Sequence, residues 1–409
     1  MDSHDLPIRA ATPDDWDAIS RLMFTVFNDP YDEDEDRVNR AVFEPDRSLV
    51  VVDGDQIVGH AGNFARELAI PGGDLPVAHV TMVGVSPSYR RRGLLRRMMR
   101  RQLREVYDTR REPLAALWAS ESRIYQRYGY GLGSEKLSLE LSTRELTLGG
   151  PAGGTLRTGD PATVQTELAK VYDQVRLDRP GWSSRDDRWW SYLLADFAGR
   201  RHGATERRAV LHEGQSDVDG YALWRVKSNW DSSGPKGEVQ VSEVVAANPT
   251  AYAEIWRFLA AIDLTRTVRY WFASTDEPVL FLADEVRSLG ARLADGLWIR
   301  VVDVGAALSA RRYAAPVDVV IEVTDELLPE NAGRWRLTVD GSGAGECTRT
   351  DAGADLACDV SVLGAVYLGG PTLTGLAAAG RVEQRRPGAL AATSTTFGWH
   401  RAPSAIEVF

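Results

Sequence analysis

The apolar positions of this chain switch repeatedly between a period of two and a period near three and a half. Residues 7–11 read as a first strand. Thr12-Pro13-Asp14-Asp15 has the make-up of a helix entry: a hydroxyl cap, proline at the first helical position, acids in the first turn. Trp16, Ile19, Leu22, Met23 and Val26 carry that helix on at three- and four-residue steps. Residues 48–52 and 56–63 are two strands joined by Asp53-Gly54, a hairpin signal. An apolar strand over 79–85 ends at Ser86-Pro87, and a helix opens at Leu94. In that helix Leu95, Met99, Leu103 and Val106 form one stripe with Met98 beside it, and arginines fill the rest. Residues 114–119 are nearly all apolar, as a central strand should be, and 136–141 alternate as another strand. Residues 5–145 therefore read β-α-(α)-β-β-β-α-β-α-β.

Gly149 to Gly154 form a linker. Beyond it Asp160-Pro161-Ala162-Thr163 echoes the first helix entry, and a helix follows around Trp189, Trp190 and Leu193. Residues 208–212, 220–227 and 239–246 read as three strands, followed by a helix over 250–262 and a closing strand over 297–304. The outline of the first block is thus repeated. After 305 the character changes: 317–323, 333–339 and 356–362 are strand-like, with helices near 362–368 and 373–379, an α+β layer.

Length and charge narrow the classes. With 409 residues, 44% of them hydrophobic, two or three domains are expected. The net charge of −10 argues against a nucleic-acid coat and fits a cationic substrate better. Cys347 and Cys358 match no metal spacing, and the six histidines contain no H-x-x-x-H pair, so no metal is expected. The acidic N-terminus lacks the apolar core of a secretion signal, and no apolar run nears the roughly 20 residues of a membrane helix. The expectation is a cytoplasmic protein that binds neither nucleic acid nor membrane.

The densest chemistry lies in VTMVGVSPSYRRRGLLRRMMRRQLR, residues 80–104, with eight arginines and no acid. Strand, basic Gly loop and helix N-terminus together make a phosphate site, because the first helical amides are unpartnered and carry partial positive charge. A second informative string is ALWASESRIYQRYGYGLG, residues 116–133, where Ser120 and Glu121 follow the central strand and three tyrosines follow them. Tyr125, Tyr128 and Tyr130 are each plausible proton donors, and residue types alone do not choose among them. The chain ends on an apolar residue, Phe409, directly after strand-like residues, which is unusual for a terminus.

The pattern Arg-Arg-x-Gly-x-Leu preceded by an apolar strand resembles the pyrophosphate loop of the GCN5-related N-acetyltransferases (GNAT). The longer string VGVSPSYRRRGLLRRMM is closer still to the Enhanced Intracellular Survival (Eis) acetyltransferases of actinobacteria. The resemblance implies an α/β (α+β) chain in three parts. Residues 1–148 would be a catalytic GNAT domain, a mixed sheet with helices on both faces. Residues 155–303 would be a second GNAT-like domain without the cofactor loop, since Ala246-Ala247-Asn248-Pro249-Thr250 stands in its place. Residues 304–409 would be a sterol-carrier-like domain that supplies the terminal carboxylate. The cofactor would lie where the strands over 80–85 and 114–119 splay apart.

Acetyl-CoA is the implied cosubstrate. Val83, Gly84 and Val85 would hold its pantetheine and polarise the thioester; Arg91, Arg92, Gly93, Leu94, Leu95 and Arg96 would take the diphosphate. Ser120 and Glu121 match a Ser-Glu pair that touches the cofactor in these proteins, and the family's general acid falls on Tyr125. The base falls on the α-carboxylate of Phe409, although a carboxylate with a pKa near about 3.5 is a poor base unless desolvated. Asp29, the acids of 32–36 and Glu407 would draw a polycationic acceptor, such as an aminoglycoside or a peptide lysine. A homo-oligomer, by resemblance a hexamer, is implied as well. The alternatives are a dedicated protein-lysine acetyltransferase, a non-catalytic scaffold whose last domain carries an apolar ligand, and, more remotely, a nucleic-acid binder using the arginine helix.

Overall fold

A computed structural model describes residues 6–409. The chain divides into two compact units. The first holds the chain up to Ser134, Gly296–His400 and Phe409; the second holds Glu135–Asp295 and Arg401–Val408.

In the first unit, β1 (Ile8–Ala10), α1 (Trp16–Phe27) and α2 (Glu33–Val42) precede three long antiparallel strands, β2 (Ser48–Asp53), β3 (Gln56–Ile70) and β4 (Gly73–Val85). Then come α3 (Leu94–Thr109), β5 (Leu114–Trp118), the single turn α4 (Ser122–Tyr125) and the short β6 (Gly131–Leu132). The sheet runs β1-β2-β3-β4-β5, then Leu297–Val301, then β6. Only β4 and β5 pair in parallel, as a strand-helix-strand connection through α3 requires. α1 packs Ile19, Leu22 and Met23 with Val50; α3 packs Met99, Leu103 and Val106 with Val80 and Leu117. β3 and β4 are longer than expected, because their hairpin continues to a turn at Gly72, where φ is 85°.

The same unit contains a second, five-stranded sheet: Gly345–Arg349, Gly333–Val339, Val317–Thr324, Leu356–Asp359 and Val382–Gln384. The first and last of these strands, and the helix Ala389–Phe397, were not read from sequence. Helix Val360–Val366 lies directly on the first sheet, where a Cβ on Gly131 would sit 1.9 Å from the Ser361 carbonyl. Arg300 and Asp325, both buried, join these two layers through bonds of 2.7 Å.

The second unit repeats the plan. Its sheet runs Arg292–Asp295, Glu135–Ser142, Thr265–Ala273, Gly237–Ala246, Val218–Lys227, Arg208–Glu213, Thr155–Gly159, again with one parallel pair, Gly237–Ala246 beside Thr265–Ala273. Helix Pro249–Ala260 buries Ile255, Trp256 and Leu259 against it. It opens without a basic loop: Asn248 caps the amide of Ala251 at 2.9 Å, and Pro249 has no amide to offer.

Two strand assignments differ from the sequence reading. The strand expected to end the first block, Glu135–Ser142, lies in the second sheet, between Arg292–Asp295 and Thr265–Ala273. The strand expected to close the second block, Leu297–Val301, pairs with β5 and β6 in the first. The units thus exchange one strand each. Alternation of apolar residues identifies a strand but does not name its partner. No helix among the described residues is long and apolar enough to cross a membrane.

Candidate functional site

The parallel pairing of β4 with β5 runs from Val77 opposite Leu114 to Val80 opposite Leu117 and stops there. Thr81 to Val85 therefore extend past the last pair. On the other side β3 follows β4 to Val85 with a slip: Thr81 opposes Gly62, yet Gly84 opposes His60. β4 carries one extra residue, at Met82, whose φ of 47° lies in a region that L-residues seldom enter. Such a bulge turns backbone groups away from the ladder. His60 fixes it. Its Nδ1 lies 2.7 Å from the Met82 carbonyl, and burial lowers its pKa to about 4. The ring is therefore neutral at ordinary pH, and Nδ1–H donates to that carbonyl. Gly84 lets α1 approach: a Cβ there would meet Met23 Cε at 2.9 Å and Val26 at 3.0 Å.

The bulged strand leads into the basic loop. Arg91 (φ 61°) and Gly93 (φ 77°) both take the left-handed conformation, and α3 starts at Leu94. Left-handed residues in such a turn aim successive amides into one concavity, here at the positive end of a 16-residue helix. The space around Gly93 is open. Arg90, Arg91, Arg92 and Arg96 are exposed, and none pairs with a carboxylate among the described residues. Arg92 instead donates to the Ser88 carbonyl at 2.9 Å and lies over the Tyr89 ring. The arginines further along serve the fold: Arg97 and Arg101 bind the carbonyls of Leu6 and Ile8, and Arg104 binds Glu330 at 2.7 Å. A diphosphate fits this loop, which offers amides, cations, room and no competing acid. Leu94 is buried and Leu95 half-buried, so these two anchor the helix from below.

At the end of β5, Ser120 and Glu121 are exposed, with Glu121 just before α4. Tyr125 closes α4. It is 6% exposed, and its hydroxyl makes no hydrogen bond to another described residue. Burial first, then Tyr128 and Glu121, push its pKa up to about 12, so the phenol keeps its proton through neutral pH. Tyr130 stands edge-on to Tyr125 with ring centroids 6.0 Å apart. Tyr128 joins them in one cluster with Val80, Met99 and Leu117.

Phe409 reaches the same strand. Thr81 Oγ1 donates to its terminal oxygen at 2.9 Å, and its ring meets the buried His79 edge-on at 4.5 Å. Thr81 is the first residue of β4 past the last β5 pair. A carboxylate, a bulge with redirected backbone groups and a basic loop thus follow one another along β4. Such a set can hold an activated acyl donor by its phosphates and carbonyl, with a carboxylate beside it to receive an amine.

Other candidates serve differently. Glu407 is buried in the second unit, where its Oε2 accepts from Arg185 Nε at 2.6 Å. The carboxylate expected to draw a cationic acceptor is thus bonded to a guanidinium that Glu243 shares. Asp29 is half-buried and follows a left-handed cap at Asn28. The acids of 32–36 open helix α2, with Asp32 capping the Glu35 amide at 2.9 Å. Asp36 accepts from Trp16 Nε1 at 3.0 Å and from the Ser20 hydroxyl, so it ties α2 to α1. Only Glu33 and Asp34 of the run are fully exposed. His60, Thr81 and Met82 escaped the sequence reading. A histidine inside an apolar strand was the one available hint; nothing local announces the positive φ of Met82.

The acetyltransferase (GNAT) domain family matches residues 7–133 and a further acetyltransferase (GNAT) domain family matches 181–301, while a sterol carrier protein domain matches 304–405. An uncharacterised N-acetyltransferase of Streptomyces avermitilis is 43% identical, over 97% of this chain and 98% of its own. N-acetyltransferase Eis of Mycobacterium bovis is 34% identical over 91% of this chain and 92% of its own. The crystal structure of Eis1 from Mycobacterium abscessus superposes with a TM-score of 0.84 at 30% identity, covering 98% of this chain and all of that one. Identity of this order, sustained across both GNAT domains and the sterol-carrier domain, makes the chain a member of the Eis family of GNAT N-acetyltransferases.

Proposed function

We propose that the chain moves the acetyl group of acetyl-CoA onto an amine by direct attack within a ternary complex, at the open end of β4. The observation that carries this reading is the sequence of features on that one strand: the Phe409 carboxylate at Thr81, the bulge at Met82, and the loop from Arg91 to Gly93. Acetyl-CoA supplies an activated thioester. Amides of Val83, Gly84 and Val85 polarise its carbonyl and hold the pantetheine. Arg91, Arg92 and Arg96, with the amides at Gly93, Leu94 and Leu95, take the diphosphate, and Ser120 and Glu121 bound the cofactor at the end of β5. Tyr125 hands its proton to the departing thiolate. The Phe409 carboxylate orients the attacking amine and draws off its proton.

For the acceptor we infer polyamines of the aminoglycoside type and lysine side chains. This is supported by the exposed acids Glu33 and Asp34, with Asp29 near them in sequence. The test is coenzyme A thiol release with acetyl-CoA and a panel of aminoglycosides and lysine peptides, for the full chain and for one lacking Phe409. Release with several amines, lost in the shortened form, is expected. Release that persists without Phe409 removes the terminal carboxylate from the mechanism.

A further inference from the structure

The second unit contains a cavity of about 1250 Å³, lined in part by Ile406, Glu407 and Val408, which lead to Phe409, and in part by cations that the proposed chemistry does not use. Its floor is one face of the second sheet. Arg225 and Lys227, Gln240 and Ser242, Arg269 and Trp271 come from three neighbouring strands at two-residue spacing, so they project from the same side. The intervening Trp224, Val239, Val268 and Tyr270 face the apolar core. Nine lysines and arginines line the cavity against three glutamates. All three glutamates are already matched: Glu243 and Glu407 by Arg185, Glu238 by Arg269. Arg144, Arg207, Lys227 and Arg266 have no carboxylate partner among the described residues. Arg207 is held by the Leu193 carbonyl at 2.6 Å, while its buried Nε has no hydrogen-bond partner. In a chain of net charge −10, unbalanced cations gathered in a concave, partly apolar site select an anion.

We propose that this cavity binds a small polyphosphate-bearing molecule, with Arg144, Arg207, Lys227 and Arg266 on the phosphates and the exposed Trp271 ring against an organic moiety. Arginine is suited to phosphate because its planar fork donates two parallel hydrogen bonds. The site lies on the opposite face of the sheet from helix Pro249–Ala260, whose N-terminus is capped, so it owes nothing to the phosphate loop of the first unit.

The test is titration calorimetry of the full chain with inorganic triphosphate and with ATP, at low and high salt. Both probes are expected to bind, more weakly as salt rises. The charge-reversed pair Arg144→Glu and Lys227→Glu, both at exposed positions, should weaken binding at least about tenfold, as the loss of two phosphate contacts implies. Arg207→Gln should weaken it as well. The loop of the first unit takes phosphate as well, so the titrations are repeated in Gly93→Val, whose side chain fills that loop; binding should persist there, and the reversed pair should weaken it in that background too. Absence of binding at millimolar probe overturns the proposal. So does binding that Gly93→Val removes and the reversed pair leaves intact.

Discussion

The hydroxyl of Thr81 donates to the terminal carboxylate of Phe409 at 2.9 Å, joining residues 328 positions apart. Thr81→Val keeps the shape and deletes the donor. A hydrogen bond to a charged group contributes about 1.5–3 kcal/mol, so if the carboxylate acts in transfer, turnover should fall about ten- to a hundredfold. Acetyl-CoA affinity should not change. Steady-state kinetics and equilibrium cofactor binding check both halves; an unaltered kcat would leave the contact a purely structural one.

Tyr125→Phe removes the proposed acid and little volume. Turnover should drop about a hundredfold or more, within the range of general-acid catalysis, at nearly constant acetyl-CoA affinity. Because the phenol pKa is raised to about 12, the wild-type rate should show no loss from its ionisation below about pH 10. Affinity that falls in step with rate would assign Tyr125 to binding.

His60 couples stability to acid. Its folded pKa, about 4, lies below the unfolded value of 6.5, so between these limits the unfolded chain binds more protons. The stabilisation is complete above about pH 6.5 and is lost as pH falls towards 4, by roughly 3 kcal/mol in all. Thermal melts of wild type and His60→Gln across that window should show a steeper acid decline in wild type. Parallel curves would mean that His60 does not titrate on unfolding.

Gly93→Val places a β-branched side chain where φ is 77° and no neighbour lies within 4 Å. The strain is local, about 1–2 kcal/mol for a left-handed residue, so the protein should still fold. The side chain would stand in the phosphate cradle, and the KM for acetyl-CoA should rise at least about tenfold, the effect of one lost charge-assisted contact. Circular dichroism and initial rates separate the two effects.

Glu407→Gln distinguishes structure from acceptor binding. Arg185 is buried and bonds Glu243 at 3.0 and 2.7 Å as well as Glu407 at 2.6 Å. Burial opposes its charge, but Glu243, Tyr172 and Glu407 outweigh that and hold its pKa well above the usual value. Arg185 keeps its Glu243 partner in this variant, so the loss is that of one charge-assisted bond, about 1.5–3 kcal/mol, and the melting temperature should fall. A variant with unchanged stability and a raised KM for the amine would restore Glu407 to the acceptor site.

The sequence by itself determined the family and the plan. An apolar strand, three arginines and a glycine before an amphipathic helix are contiguous, so their meaning is local and legible. So is the missing loop of the second unit, where a capping asparagine and a proline replace it. The tertiary structure decided whatever depends on partners. Which sheet receives Glu135–Ser142 or Leu297–Val301 is a choice between two similar apolar edges, and a period of two fits either. The bulge at Met82 exists because His60 on the neighbouring strand holds its carbonyl. That Glu407 bonds Arg185, 222 positions away, is likewise visible only in the fold. The cations of the second sheet were scattered over the sequence, and became one surface only when three strands aligned their alternate residues. Side-chain period is set by the backbone and can be read along the chain. Pairing is set by which surfaces exclude water together, and that is a property of the folded whole.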